Sequence, residues 1–214
     1  VQVGILYSEL EDEVRDGFYV DSLMKCCWKS QLQVLKKVEK ICRKYNIQYQ
    51  AEWGTLLGTV RHGGFIPWDD DLDISMKRQD YEKFINIAQK ELPKGYKVIN
   101  YHTNKDYWDA MCVISNSGAI SMNYDFLEEN ANFPFSAGLD IFSMDYIPVD
   151  KQRAEVLKVL VKNVENVTTV YRNKCATEEE LEQALVQLEE MCHRKIDRNG
   201  DLREQLFDLM VYLY

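Results

Sequence analysis

Glu52-Trp53-Gly54-Thr55-Leu56-Leu57-Gly58-Thr59-Val60-Arg61-His62-Gly63-Gly64-Phe65-Ile66-Pro67-Trp68-Asp69-Asp70-Asp71-Leu72-Asp73-Ile74 gathers small residues, an Arg-His pair and four Asp into one short span. Each uncompensated carboxylate is costly to desolvate, so a purely structural segment rarely collects charge in this way. The stretch calls for something cationic beside it. Gly54-Thr55 opens a brief helix through Val60, and the Gly63-Gly64 pair stops it. Pro67 blocks helix continuation and sets up an extended approach. Residues 71–76 alternate with period two and read as a strand.

That strand carries the chemistry. Side chains two apart on a strand share a face, with Cα atoms ~6.5–7 Å apart. Asp71 and Asp73 therefore project together, and Leu72 and Ile74 turn to the other side. Such a pair suits a hard divalent cation, Mg2+ or Mn2+, which takes oxygen ligands and shares them with substrate phosphates. Asp140 stands in a similar setting, Leu139-Asp140-Ile141, on a separate predicted strand over 138–142. An adjacent strand would bring it in as the third carboxylate of the metal site. Upstream, Gly54 and Thr55 at a helix start offer backbone N–H groups and a hydroxyl to an anion. Arg61 and His62 reach toward a second phosphate, the Arg with a rigid fork. Asp69 and Asp70 serve better as groups that orient the ligands. A metal opposite phosphate donors is the recurring arrangement for phosphoryl or nucleotidyl transfer.

Other readings of the stretch are weaker. A solvated turn would be flanked by Gly, Ser or Lys rather than by Trp68 and Ile74. Asp69, Asp71 and Asp73 match the opening of an EF-hand loop, but Ile74 and Asp80 stand where that loop needs Gly and Glu. Asp140 alone could be a hydrogen-bonded sheet residue, and His62 could simply cap a helix end. His102 and His193 have no partner pattern. Asn166-Val167-Thr168 matches a glycosylation sequon but lies inside a predicted helix.

Around this centre the chain alternates helices and strands. Residues 1–21 are acidic and weakly patterned, an arm. From Ser22 a helix places Leu32, Leu35, Val38, Ile41, Cys42 and Tyr45 at three- and four-residue steps, and Asn46 closes it. Its Lys29, Lys36, Lys37, Lys40, Arg43 and Lys44 make a solvated face. Residues 47–51 read as a short strand. Residues 79–92 read as a helix with Tyr81, Phe84, Ile85 and Ala88 inward, and 96–101 as a strand. Residues 110–114 and 119–122 read as a hairpin across Asn116-Ser117-Gly118. After Pro148 the pattern is helical, with starts near Lys151, at Thr177 with Glu180 in a capping box, and near Asp201 with Glu204 three residues on. The expected organisation is a mixed α/β core over 1–148 and a helical region over 149–214.

Composition narrows the partners. With 46% hydrophobic and 29% charged residues the chain is globular, neither disordered nor of low complexity. A net charge of -9 argues against tracking a nucleic-acid backbone, which needs a positive field. The six Cys form no CxxC pair, so reduced thiols are expected rather than a disulfide scaffold or zinc finger. No run approaches ~20 apolar residues and no signal-peptide pattern opens the chain. A cytoplasmic protein, at most peripheral at the inner face of a membrane, is expected. The chain stops at Tyr214 inside an apolar run from Leu206, as a piece of a longer protein would.

Gly54-Thr55-Leu56-Leu57-Gly58-x-Val60-Arg61-His62-x-Gly64-Phe65-Ile66-Pro67-Trp68-Asp69-Asp70-Asp71-x-Asp73 closely resembles the signature of LicD-type phosphocholine transferases, relatives of fukutin and fukutin-related protein in the nucleotidyltransferase-fold superfamily. The preceding helix, Asp80-Tyr81-Glu82-Lys83-Phe84 and Leu139-Asp140-Ile141-Phe142 extend the likeness over roughly residues 30–148. The resemblance implies an α/β (α+β) nucleotidyltransferase-like core, a mixed sheet with flanking helices. It makes Gly54-Thr55 the counterpart of the superfamily's Gly-Gly/Ser motif, with Thr55 where that pattern has Gly or Ser. It makes Asp71 and Asp73 the metal-binding Asp-x-Asp, and Asp140 the third carboxylate. The implied reaction moves a phospho-alcohol, phosphocholine above all, from a CDP-activated donor such as CDP-choline to a hydroxyl of a glycan or glycolipid acceptor, releasing CMP. Bacterial acceptors of this family are teichoic acid, capsule and lipopolysaccharide, and fukutin relatives transfer ribitol phosphate. The rival readings are a nucleotidyltransferase or small-molecule kinase of the same fold, or a non-catalytic metal- or nucleotide-binding module. Choline would favour an aromatic cage, for which Trp53, Trp68, Tyr101, Tyr107, Trp108, Tyr124 and Phe133 are the candidates.

Overall fold

A computed structural model describes residues 10–214 of the chain. They divide into two compact units: residues 10–99 with Met111–Met144, and Asn100–Ala110 with Asp145–Tyr214.

The first unit opens with a hairpin, β1 (Glu13–Arg15) and β2 (Phe18–Val20), then a long helix α1 (Ser22–Tyr45). β3 (Gln50–Ala51), α2 (Trp53–His62), β4 (Asp73–Lys77), α3 (Arg78–Glu91), β5 (Lys97–Ile99), β6 (Cys112–Ser115), α4 (Tyr124–Glu129) and β7 (Gly138–Met144) follow. The large sheet runs β3-β4-β7-β6-β5; β4 and β7 are parallel and every other pair antiparallel. This is the mixed α/β architecture expected from the sequence.

Alternation decides which face of that sheet is dry. Leu72, Ile74 and Met76 on one strand and Leu139 and Ile141 on its parallel neighbour are buried with Cys112 and Ile114 of β6. Val34, Val38 and Ile41 of α1 and Tyr81, Phe84 and Ala88 of α3 cover them. Strand side chains alternate between faces, so Asp73, Ser75, Asp140 and Phe142 fall on the opposite side. The ends of α1 follow ordinary capping chemistry. Asp21 accepts from the Met24 N–H at 2.7 Å, and Asn46 ends the helix in the left-handed region at φ 51°.

Three local expectations are corrected. The arm is in part a hairpin: Asp16 and Gly17 both have positive φ, 52° and 79°, as a two-residue type I′ turn requires. Residues 1–9 of that arm lie outside the described residues. Residues 119–122 form no strand, because β6 is already paired on both edges, with β5 and with β7, and has no edge left to offer. Ile120 and Met122 accordingly remain exposed. Leu32 is also exposed, and Gln31 takes the inward position on α1 instead.

The second unit packs α5 (Lys151–Asn173), α6 (Glu178–Cys192) and α7 (Leu202–Leu213) around Val164, Leu185, Leu188, Leu206 and Leu209. Thr177 and Glu180 form the expected capping box, and Asp201 caps α7 by accepting from the Glu204 N–H. Residues 100–110 are tied to α7. The Tyr101 ring stacks on Phe207 at 4.7 Å, and the buried Arg203 guanidinium donates to the carbonyls of Tyr107 at 3.0 Å and Asn104 at 3.4 Å. No described helix is long and apolar enough to cross a membrane.

Arg203→Met keeps an apolar stem but removes the guanidinium donor to the Tyr107 carbonyl, while the Asn104 carbonyl still accepts from the Tyr107 N–H at 3.1 Å. A hydrogen bond from a charged donor is worth roughly 1.5–3 kcal/mol, so this variant is expected to lose about 2 kcal/mol, read as an earlier urea midpoint. An unchanged midpoint would show that the Tyr107 carbonyl finds another donor.

Candidate active site

The polar face of the sheet is built where β4 and β7 run side by side. Asp73 and Asp140 are direct partners in the parallel register, and the Asp140 N–H donates to the Leu72 carbonyl at 3.0 Å. Like charges set opposite each other destabilise a sheet, so the apolar residues beneath must hold them there.

Helix α2 is joined to the same point. The Asp73 N–H donates to Thr55 Oγ1 at 2.8 Å, and the Glu52 N–H donates to the Asp73 carbonyl at 3.1 Å. The start of β4 and the first turn of α2 are thus tied together, with the Thr55 hydroxyl as the knot. Glu52 occupies the N-cap position but its side chain does not cap the helix. Its carboxylate instead accepts from Ser75 Oγ at 2.7 Å, leaving the first N–H groups of α2 without a side-chain acceptor.

The loop from Gly63 to Leu72 folds back over α2 and brings the remaining carboxylates in. Gly63 ends the helix at φ 71°, and the Gly64 N–H donates to the Gly58 carbonyl at 3.3 Å. A Cβ on Gly58 would collide with the Gly64 carbonyl, so only glycine permits this return path. A Cβ on Gly54 would likewise run into Asp69 Oδ2. From the other side α1 grips the loop: Trp28 Nε1 donates to the Asp69 carbonyl and Gln31 Nε2 to the Asp70 carbonyl, each at 2.7 Å. The Trp28 ring is stacked on Phe65, centroids 5.0 Å apart.

The result is a crowd of acids. Burial first, then the charges of Asp71, Asp140, Asp69 and Glu52, push the Asp73 carboxyl up to about 6. Asp69 is also raised, by burial and then by Asp71, with which it shares a hydrogen bond. Asp71 and Asp70 are exposed. The strand proper begins at Asp73, so Asp71 belongs to the loop and acts on Asp73 from its edge. Among the described residues no group of three or more His, Cys, Asp or Glu side chains is placed to hold a metal ion by itself.

Arg61 and His62, in the last turn of α2, go separate ways. Arg61 is exposed. The His62 side chain is 6% exposed, its Nδ1 lies 2.6 Å from Asp16 Oδ2, and its ring meets Trp68 edge-on at 6.0 Å. Its buried Nε2 has no hydrogen-bond partner among the described residues. The partner Asp16 comes from the β1–β2 turn, which also sets Phe18 against Trp68 at 5.9 Å. Sequence reading missed this hairpin although Asp16-Gly17 is its signal. It also passed over Glu52, an unusual residue at an N-cap, and the inward Trp28 and Gln31, for which periodicity holds no sign.

Comparison with known proteins agrees with this geometry. The family model described as LicD/FKTN/FKRP, nucleotidyltransferase domain, matches residues 46–168, more than half of the chain. The chain is 40% identical over 67 residues to a protein of Haemophilus influenzae named lipopolysaccharide cholinephosphotransferase LicD, covering 31% of this chain and 25% of that protein. It is 34% identical over 55 residues to the human ribitol 5-phosphate transferase FKRP, covering 26% of this chain and 11% of that protein. The matched stretches are thus a quarter or less of these relatives. With the mixed sheet, the Asp-rich loop and the acidic strand pair all inside or bordering the matched span, this chain belongs to the LicD/FKTN/FKRP family through its nucleotidyltransferase domain.

Proposed function

We propose that this chain transfers a phospho-alcohol, phosphocholine first among them, from a CDP-activated donor to a hydroxyl of a cell-surface glycan such as teichoic acid, capsule or lipopolysaccharide. The observation that carries this reading is the pairing of Asp73 with Asp140 beside the uncapped first turn of α2. The names of the relatives, a cholinephosphotransferase acting on lipopolysaccharide and a ribitol phosphate transferase, support a phospho-alcohol as the group moved. The working location is the cytoplasm or the inner face of a membrane.

The donor set suits a hard dication. Asp71, Asp73 and Asp140 offer only oxygen, and the strongest influences on Asp73 all disfavour its charge, as expected of a carboxylate whose natural partner is a cation. Asp73 and Asp140 would hold Mg2+ or Mn2+ once Asp71 of the loop and the donor phosphates close around it. When bound, such an ion supplies charge neutralisation at the phosphoryl oxygens.

The chain's own groups do the rest. The α2 N–H groups at Trp53, Gly54 and Thr55 bind the donor diphosphate, where the helix dipole favours an anion. Gly54 lets the Asp69 carboxylate approach this turn closely. Asp69 and Asp70 have their carbonyls held by Trp28 and Gln31, so this loop keeps its shape while the acids carry charge. The acceptor hydroxyl attacks the phosphorus of the phospho-alcohol in line, a new P–O bond forms, and the bond to the CMP oxygen breaks. Asp140 takes the hydroxyl proton when it is not fully engaged as a ligand. Arg61 neutralises the charge left on CMP. The His62–Asp16 pair holds the end of α2 in place from beneath.

Asp73→Asn and Asp140→Asn are each expected to lower CMP release from CDP-choline by about a thousandfold or more, the scale of several kcal/mol of lost charge stabilisation. Near-normal turnover in both would end this reading. Pyrophosphate in place of CMP would mark nucleotidyl transfer, and tight donor binding without turnover would mark a binding module.

The raised Asp73 carboxyl also gives a pH signature. A folded-state value above the ordinary one means stability is fully present at low pH and is lost as pH rises through about 6. Metal-free Asp73→Asn should therefore melt above the wild type at pH 7.5 but not at pH 4. Mg2+ should raise the wild-type midpoint at pH 7.5, by an increment that shrinks below about 6. Equal melting of the two proteins at both pH values would contradict this account.

A further inference from the structure

Trp53 lends the proposed reaction only its backbone N–H, which any residue there would supply, and its side chain is left unused. It sits at the first position of α2 with φ 45°, in the left-handed region. Asn and Asp enter that region with some ease and Gly freely, but a bulky aromatic residue there is a genuine outlier. Packing does not compensate, because Trp53 is 66% exposed. Its neighbour Phe142 meets it edge-to-face, with centroids 6.2 Å apart and planes at 75°. A chain that needed only the turn would place Gly at 53. The cost of the indole at this position has to be recovered by something it touches when a ligand is present.

Phe142 says where that ligand lies. It is two residues from Asp140 on β7 and so shares the polar face with that carboxylate. Trp53 itself precedes Gly54, where an added Cβ would run into the Asp69 carboxylate. Two aromatic rings near a right angle, beside an acid-rich site, form two walls of a box for a group that is both cationic and greasy. We infer that Trp53, with Phe142, is the specificity-determining platform that receives the quaternary ammonium of a choline-bearing donor. A primary ammonium, strongly hydrated, would gain less there, and a neutral polyol would gain only contact with its C–H groups and no cation–π attraction. The inference rests on the phospho-alcohol reading above and narrows it to choline. It also gives a reason for the backbone cost: in this conformation the indole meets Phe142, which shares the polar face with Asp140.

The test separates ligand class from fold. Affinities of CDP-choline, CDP-ribitol and CTP with Mg2+ are measured by calorimetry on the wild type, Trp53→Gly and Trp53→Phe. Trp53→Gly is expected to weaken CDP-choline about tenfold, the scale of one cation–π contact, and to change CDP-ribitol and CTP less than twofold. Trp53→Phe should restore most of the loss. Because glycine relieves the positive φ, metal-free Trp53→Gly should also melt a few degrees above the wild type, which distinguishes lost recognition from lost structure. Equal weakening of all three nucleotides would overturn the inference, since the indole would then stack on the base. Unchanged CDP-choline affinity would overturn it as well. Failure of the donor reading is visible separately, as wild-type protein that binds none of the three. Phosphocholine against phosphoethanolamine then decides: a wild-type preference for phosphocholine that Trp53→Gly abolishes supports the platform, and no preference removes it.

Discussion

The parallel pairing of Asp73 with Asp140 is the constraint on which the rest of the first unit depends. Two carboxylates side by side on neighbouring strands repel, and burial raises the cost further. They are kept there by what lies under the sheet. Ile74, Met76, Leu139 and Ile141 are each no more than 2% exposed, and shifting either strand by one residue would turn them out and the acids in. The register is therefore held by hydrophobic burial on one face, and it sets the two acids side by side on the other. An acid pair maintained against its own repulsion is a fitting receptor for a cation and a poor feature of a merely structural sheet.

The same economy runs through the loop above the strands. Backbone carbonyls of Asp69 and Asp70 are taken by side chains of α1, so the loop holds its form without using its own acids. Gly54 and Gly58 are positions where another residue would strike Asp69 or the returning backbone. Thr55 accepts from the Asp73 N–H, which couples the N-terminal end of α2 to the acidic end of β4. One hydroxyl thereby sets the distance between the two halves of the site. The Asp16 turn closes the assembly by reaching back to His62 across 46 positions of sequence.

Much of this was legible in advance where the signal is local. Helix limits followed from caps that the sequence spells out: Asn46 after α1, Thr177 with Glu180, and Asp201 with Glu204. The inward face of α3 followed from its 3.6-residue period, through Tyr81, Phe84 and Ala88. The errors arose where a local pattern met a non-local limit. Residues 119–122 have a strand-like look, but β5 and β7 already occupy both edges of β6. Leu32 fits an apolar stripe, yet α1 turns Gln31 inward because a carbonyl of the Asp loop needs a donor. Here the demand for hydrogen bonding outweighed periodicity.

The sequence by itself determined the family, the mixed α/β class and most helix limits, and it singled out the acids and glycines of the candidate site. Alternation and capping act over a few residues, and a long motif carries its own chemistry. The tertiary structure alone decided which strands are neighbours and in what register. It also decided which hydroxyl and which α1 side chains hold the loop, that His62 faces inward to Asp16, and that Trp53 stands exposed at a positive φ beside Phe142. Those facts depend on groups far apart in the chain meeting once the apolar face is buried. No local period encodes them, because the free energy that selects them belongs to the packed core as a whole.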